Sequence, residues 1–180
     1  MDQSENLPDY DAPDMLVVSD PAQLRALGDD VRGRVISLLR ERAASVTELA
    51  EALEMPKGTL AHHVKVLEHA RLVHVVRTRR VRALTEKLYG RTARLFLIES
   101  GDELAQGVAA TTLRTAAAEL PASGGIAAHA LVRARLAEPD ARRFERRLKK
   151  LVDDFRAAET RSGRTYGLAV ALYRQEPGDA

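Results

Sequence analysis

The sequence predicts an α+β protein with two domains, and three patterns support this. Apolar residues recur at helical spacing from residue 20 to residue 70, the period becomes that of strands from residue 72 to residue 89, and helix and strand patterns alternate from residue 94 onward. A chain of 180 residues is long enough for two small hydrophobic cores. We therefore expect a mobile acidic arm over residues 1–19, one domain over 20–93 and a small α/β domain over 94–180.

Composition excludes several classes of protein. The chain has no cysteine, so it has no disulfide framework and no thiolate metal site. The first twenty residues are acidic and do not follow the pattern of a signal peptide, and no apolar run approaches the roughly 20 residues that cross a bilayer. We expect a cytoplasmic protein with no membrane role.

The small net charge of +2 hides a strong segregation along the chain. Residues 1–56 carry five basic and twelve acidic side chains, a net charge of −7, whereas residues 57–94 carry ten basic and two acidic ones, a net charge of +8. Residues 95–180 are nearly balanced, with thirteen basic and twelve acidic side chains. A compact basic block indicates a surface that meets a polyanion, although arginines that merely solvate an exposed hairpin would give the same count.

The N-terminal domain is expected to begin with two helices. Asp20 and Pro21 form a cap followed by a first-turn proline, and Gly28 closes the short helix that follows. A second helix begins at about Asp30, where apolar residues recur at helical spacing through Leu39.

Two further helices joined by a tight turn follow. Thr47 is the expected cap of a helix that ends near Leu53, and a second helix runs from Lys57 to Ala70. Leu60, Val64 and Leu67 lie at i, i+4 and i+7 of that second helix and must face the core.

A strand hairpin comes next. Residues 72–78 are rich in β-branched side chains and alternate, which is typical of a strand, and residues 83–89 are interpreted as its hairpin partner. The residues at and near the tip include Arg79, Arg80 and Arg82.

The C-terminal domain is expected to have a β-α-β-α-β order. Residues 94–98 are taken as a strand, Ser100 and Glu103 match a capping box for a helix that ends at Pro121, and residues 129–136 and 168–173 have strand patterns. Pro139 starts the longest helix, with the stripe Phe144, Leu148, Leu151, Phe155 and Ala158. We interpret this stripe as core rather than interface. The basic run from Arg142 to Lys150 is interpreted as a solvated face rather than a second DNA site.

Together, the segment from Val46 to Leu67 and its flanking pieces resemble the ArsR-type winged helix-turn-helix regulators over residues 20–94. The recognition-like run reads Lys57-Gly58-Thr59-Leu60-Ala61-His62-His63-Val64-Lys65-Val66-Leu67, and the wing variant reads Val76-Arg77-Thr78-Arg79-Arg80-Val81-Arg82-Ala83-Leu84-Thr85-Glu86-Lys87. The resemblance implies a transcriptional regulator, expected to be a repressor, that binds double-stranded DNA. Two residues depart from the family's pattern: Glu54 stands where the turn usually has glycine, and Pro56 replaces the usual serine cap.

The expected DNA contacts follow from dimensions, because an α-helix fits the major groove of B-DNA, whose edges distinguish all four base pairs. The outward face of the recognition helix offers Lys57, Thr59, Ala61, His62 and Lys65. The wing offers Arg77, Arg79, Arg80 and Arg82, which can reach the phosphate backbone or the minor groove. His62 is expected to face DNA, with a plain solvated side chain as the alternative, and His63 is expected to be half-buried.

Many ArsR-type proteins are metal sensors that use cysteines in the first helix of the helix-turn-helix, or aspartate, histidine and glutamate on a C-terminal dimer helix. This chain offers neither set of ligands. Its helix after Ser100 has acidic residues nearby and no histidine, whereas zinc and related metals need imidazole or thiolate ligands. We predict no metal and no cofactor.

Three functions remain in competition. The first is a dimeric repressor that binds a palindromic operator, with a C-terminal domain that dimerises and accepts a small effector. The second is a winged-helix module for protein contact or architectural DNA binding without operator specificity. The third is an enzyme, which the sequence does not support because it has no phosphate loop and no nucleophile motif. The dimer contact is open between the C-terminal strands and the helix after Ser100.

Overall fold

The computed structural model describes residues 8–81, 84–98, 103–122, 124–125, 128–160 and 164–174. Its strands and helices, in chain order, are β1 (Met15–Val18), α1 (Pro21–Leu27), α2 (Asp30–Leu38), β2 (Ala44–Ser45), α3 (Val46–Ala52), α4 (Lys57–His69), β3 (Val73–Val81), β4 (Leu84–Arg91), β5 (Leu95–Ile98), α5 (Glu103–Glu119), a 3₁₀ turn (Leu120–Ala122) and α6 (Glu138–Ala157). The chain divides into two units, residues 1–115 and 116–180. In the described part of the chain, no helix has the length and apolar character needed to cross a membrane.

The first two helices form as predicted, and their caps explain where they start. The Asp20 side chain accepts a hydrogen bond from the Ala22 backbone N–H, and Asp29 does the same for Arg32. The buried faces of α1, α2, α3 and α4 meet in one core, whose fully buried side chains include Leu24, Val35, Leu39, Leu49, Leu60, Val64 and Leu67.

Helix α3 begins two residues earlier than the sequence predicts, with Ser45 as its cap instead of Thr47. The Ser45 hydroxyl accepts from the Glu48 N–H at 3.2 Å, and the Glu48 carboxylate accepts from the Ser45 N–H at 2.7 Å. This reciprocal capping box satisfies two N–H groups, whereas Thr47 lies inside the first turn. The sequence prediction places the cap at Thr47, although the spacing of Ser45 and Glu48 also matches a capping box, and it does not foresee the short strand β2 that ends at Ser45.

The turn of the helix-turn-helix is a Schellman motif centred on Glu54. Glu54 has a φ of +52°, its N–H donates to the Glu51 carbonyl, and the Met55 N–H donates to the Ala50 carbonyl. Glycine adopts a left-handed conformation without strain, so it is the residue expected at this position of a helix-turn-helix turn. Glu54 nevertheless adopts this conformation, and both hydrogen bonds of the motif form with glutamate in place of glycine.

The wing is the antiparallel hairpin of β3 and β4, and β2 extends it on the β4 side. Its register places Arg79 opposite Glu86, Arg80 opposite Thr85 and Thr78 opposite Lys87. Residues 73–78 and 84–89 of the predicted strands lie in the hairpin, and the structure extends β3 further toward the tip. The mixed fold with an N-terminal winged helix-turn-helix is confirmed.

The expectation of a mobile arm does not hold for residues 8–18. Strand β1 pairs in parallel with β5, so Met15 to Val18 lie beside Leu95 to Ile98. Before it, the Tyr10 hydroxyl donates to the Leu39 carbonyl and accepts from the Arg91 N–H. The acidic composition suggested mobility, but four apolar residues and one tyrosine supply enough contacts to order this segment.

Helix α5 contacts the first two helices. Thr111 is buried and donates to the Gly28 carbonyl at 3.1 Å, and its methyl group lies close to Gly33. The Ser100 end of the expected capping box lies outside the described residues.

In the C-terminal unit, α6 forms as predicted, but its surroundings differ from the expectation. The two strand-patterned segments, residues 129–136 and 168–173, lie in neither helix nor strand. An alternating pattern specifies two faces but supplies no partner for the backbone hydrogen bonds of a strand. The stripe expected to be core is largely exposed: the exposed fraction is 38% for Phe144, 49% for Leu151 and 42% for Phe155.

Candidate nucleic-acid interface

The outward face of α4 carries the candidate base-reading residues. Leu60, Val64 and Leu67 are buried, as their spacing predicts, and they fix the rotation of the helix. The opposite face exposes Lys57, Thr59, His62 and Lys65, while Ala61 is half-buried. The structure thus places these predicted residues on one accessible face of a 13-residue helix.

The N-terminus of α4 is open. Pro56 precedes the helix, and no side chain caps its first turn. The first N–H groups of a helix lack partners within it and carry the positive end of the helix dipole, so they suit a phosphate oxygen. A side chain built on Gly58 would meet no atom within 4 Å, so the backbone here is accessible to a close ligand.

His63 lies on the inner edge of the same helix, half-buried as predicted. Its Nδ1 atom is 3.6 Å from an Asp29 carboxylate oxygen and makes no hydrogen bond within the described residues. The neighbouring His62 ring lies edge-on to it, with 6.0 Å between the ring centroids. His63 therefore faces the cap of α2, and only His62 of the pair is exposed to a ligand.

Two of the predicted wing arginines are held by carboxylates of the chain itself. Arg77 forms an ion pair with Asp9 and also donates to the Asp9 carbonyl at 3.0 Å. Arg79 donates to Glu86 at 2.8 Å and to Glu48 at 3.1 Å. Both guanidinium groups are thus engaged within the domain.

Arg80 lies on the other face of the hairpin. Because side chains alternate along a strand, Arg80 and Thr78 point away from Arg77 and Arg79, and the register adds Lys87 to the face of Arg80. Arg80 and Lys87 are both exposed. Arg82 lies outside the described residues.

Electrostatics support the engagement of Arg79. Burial alone would raise the pKa of Glu48, but hydrogen bonds from Ser45 and Arg79 outweigh it and hold the pKa below its usual range. The hydrogen bond from Arg79 also lowers the pKa of Glu86, and the same bond raises the pKa of Arg79. All three groups are therefore charged at neutral pH.

Arg91 is the buried cation at the base of the wing. Its side chain donates to the Arg94 carbonyl at 2.6 Å, and its guanidinium carbon lies 4.9 Å from the centre of the Phe96 ring. Burial lowers the pKa of Arg91 to about 10, so it remains charged at neutral pH. Its place between β4 and β5 indicates a packing role, not a contact with a ligand.

Sequence reasoning missed three residues of this surface. Lys87 was not selected because its position beside Arg80 depends on the register of the hairpin, which the tip sequence does not reveal. Gly58 carries no functional group, so the sequence does not reveal that its backbone is open to a close ligand. Glu48 lies in the first helix of the predicted pair, and its spacing from Ser45 matches a capping box that could have identified it.

A metal site is not evident in the described part of the chain, since no three histidine or acidic side chains there form a group that could hold an ion.

Residues 27–76 match a protein-family model described as a helix-turn-helix domain. Among solved structures, HlyU from Vibrio cholerae N16961 is 23% identical with a TM-score of 0.35, and the match covers 53% of this chain and 87% of that one. The transcriptional repressor BigR from Xylella fastidiosa is 26% identical with a TM-score of 0.35, and the match covers 54% of this chain and 83% of that one. MepR, a transcription regulator of a Staphylococcus aureus multidrug efflux pump, is 17% identical with a TM-score of 0.27, and the match covers 74% of this chain and 78% of that one. None of the curated proteins compared with this chain matches it. The family match spans α2, α3, α4 and the start of β3, so the helix-turn-helix of this chain lies within it.

Proposed function

We propose that this chain is a sequence-specific DNA-binding transcriptional regulator of the ArsR type. The observation that carries the proposal is the exposed face of α4, where Lys57, Thr59, His62 and Lys65 lie beside an uncapped helix N-terminus. An α-helix with this face fits the major groove, where ammonium, hydroxyl and imidazole groups can distinguish base pairs. The N-terminal N–H groups and Lys57 would meet phosphate oxygens and set the depth of the helix.

The charge distribution supports the same assignment. Residues 57–94, which contain α4 and the wing, have a net charge of +8. On the wing, Arg80 and Lys87 form an exposed pair of cations that can bind the phosphate backbone. We assign the backbone contacts of the wing to this pair first. Arg77 and Arg79 act on DNA only where a phosphate displaces the carboxylates that they bind.

The regulator is proposed to act as a homodimer on a palindromic operator. One recognition helix contacts only a few base pairs, and two copies related by a two-fold axis double the contact surface and fix the spacing of the half-sites. Binding over a promoter would block transcription, so we assign the repressor role. A small effector that binds between the C-terminal units would alter the spacing of the two α4 helices.

Selection of the full-length protein on random duplex DNA tests the proposal. We expect enrichment of an inverted repeat whose half-sites lie one helical turn apart, about 10 base pairs centre to centre. A matched control is a chain with Thr59→Ala and His62→Ala, which should still bind DNA but lose the enriched motif. Binding by the unmodified chain without any enriched sequence would overturn the proposal in favour of an architectural module.

A further inference from the structure

The apolar stripe of α6 has a palindromic order. Six residues share one face of the helix at spacings of three, four, three, four and three: Ala141, Phe144, Leu148, Leu151, Phe155 and Ala158. The three largest exposed side chains among them are Phe144, Leu151 and Phe155, each more than a third exposed. A stripe with alternating steps of three and four is the seam of a helix pair, and aromatic rings at this exposure are costly to leave in water.

The palindrome makes the stripe complementary to itself in the antiparallel direction. If a second copy runs antiparallel with Leu148 opposite Leu151, then Phe144 lies opposite Phe155 and Ala141 opposite Ala158. Every layer then joins side chains of equal size from Ala141 to Ala158, about 26 Å along the axis. A stripe without this order would set a phenylalanine against an alanine at the same register.

The charges beside the stripe favour the antiparallel direction. Asp140, Arg147 and Asp154 follow one flank at seven-residue spacing, and Glu138, Glu145 and Glu159 follow the other. In the antiparallel register above, Arg147 of each copy lies within about 3 Å along the axis of Asp154 of the second copy, which gives two attractive pairs. Glu138 lies near Glu159 of the second copy, but only at the solvated ends.

A parallel pair is disfavoured by the same charges. It would place Asp140 beside Glu145 of the second copy and Asp154 beside Glu159, so that like charges meet at four places and no attractive flank pair forms. Asp154 is bonded to Lys150 within the single chain at 2.8 Å, but exposed pairs of this kind exchange at little cost.

From the matched layers and the flank charges we infer that the α6 stripe is a self-association surface whose occupant is α6 of a second copy in antiparallel orientation. The inference rests on the proposed function, because it supplies the contact of the proposed homodimer. Nucleic acid and anionic membranes are weaker candidates for this helix, since its seven basic residues are interspersed with five acidic ones.

Cysteine cross-linking tests the orientation directly, because the native chain has no cysteine and gives no background. Full-length Phe144→Cys and Phe155→Cys chains are prepared separately, mixed and treated with a short thiol-specific cross-linker. We expect a cross-linked dimer only in the mixture, because the two thiols of an antiparallel pair of Phe144→Cys chains would lie about 17 Å apart along the axis. Cross-linking of the Phe144→Cys chain with itself would show a parallel pair and overturn the inference. Absence of any cross-link would overturn it as well.

A charge exchange provides a second readout that keeps all six apolar residues of the stripe, although Arg147→Asp also removes the guanidinium that lies 5.6 Å from the centre of the Phe144 ring. Arg147→Asp and Asp154→Arg should each weaken the dimer roughly fivefold in sedimentation equilibrium, and the double variant should restore it. Restoration would not occur if each substitution acted on its own helix alone. Circular dichroism of each variant verifies that the helices are intact.

Binding to a single DNA half-site separates this inference from the proposed function. The Arg147→Asp chain should bind one half-site as the native chain does and lose affinity only for the full palindrome. If the cross-linked dimer forms but no half-site is bound, the DNA-binding proposal fails and the self-association surface stands. If half-sites are bound and the cross-link is absent, the self-association surface fails and the DNA-binding proposal stands.

Discussion

The Arg79 guanidinium donates a hydrogen bond to the Glu48 carboxylate across 3.1 Å, and this contact joins the wing to the first turn of α3. Glu48 is also half of the capping box with Ser45, while Arg79 binds Glu86 on the facing strand. A residue that the sequence assigns to DNA contact thus connects the hairpin to the helix-turn-helix. The wing arginines therefore divide into a structural group and an exposed group.

We predict that Arg79 and Arg80 have different effects on DNA binding. Arg80→Ala should lower the slope of log affinity against log salt concentration by about one unit, because an exposed cation that meets a phosphate releases one counterion. Arg79→Ala should leave that slope unchanged, because its charge is already paired with Glu48 and Glu86. Fluorescence anisotropy over a range of salt concentrations measures both.

Lys87→Ala serves as the matched test of the exposed face, since Lys87 neighbours Arg80 across the hairpin. A reduced slope for Lys87→Ala would support the shared face. A reduced slope for Arg79→Ala, with none for Arg80→Ala, would contradict the division of the wing.

His62 is predicted to determine specificity. His62→Ala should reduce discrimination between the selected operator and a mismatched one by about 1–3 kcal/mol if the imidazole reads a base edge, with little change in binding to random DNA. Competition binding measures this ratio. Equal losses on both DNAs would mean that His62 contributes affinity only, and His69→Ala, an exposed histidine at the far end of α4, is the control.

The pKa of Glu48 predicts an acid-dependent loss of stability. Its pKa is lowered in the folded protein, so its contribution is present above the ordinary value of 4.5 and is lost as the pH falls below that value and through the lower pKa of the folded state. Glu48→Gln should therefore lower the melting temperature at pH 7, and the difference from the native chain should narrow as the pH falls below 4.5. A difference that is constant with pH would show that the carboxylate charge is not involved.

Glu54 is predicted to be strained. Glu54→Gly should raise the free energy of unfolding by up to about 1 kcal/mol, because the φ of +52° favours glycine. Glu51→Gly, an exposed site within α3, should instead lower it by about 1 kcal/mol, since glycine is unfavourable inside a helix. Urea denaturation compares the two, and a destabilised Glu54→Gly chain would refute the strain.

Tyr10 is predicted to hold the N-terminal segment on the domain. Tyr10→Phe removes a hydroxyl that bonds both Leu39 and Arg91, and it should cost about 1–2 kcal/mol in urea denaturation. Gly90→Ala should also release the segment, since a Cβ there would come within 2.7 Å of the Tyr10 ring. Hydrogen exchange of residues 8–18 reports the release, and unchanged protection in both variants would contradict this role.

The sequence by itself determined the order of the first four helices and the rotation of α4. The spacing of Leu60, Val64 and Leu67 is local information, because residues four and three apart share a helix face whatever surrounds them. The same local logic placed Asp20 as a cap and gave α6 its stripe. The charge of residues 57–94 likewise follows from composition alone.

Tertiary structure decided which of the selected residues are free to act. Arg77 and Arg79 look like Arg80 in the sequence, but contacts with Asp9 and Glu48, which lie 68 and 31 residues away, occupy them. The docking of Tyr10 and the pairing of β1 with β5 are also long-range. Local periodicity specifies the faces of an element, whereas the partner of each face depends on contacts that the chain makes only when folded.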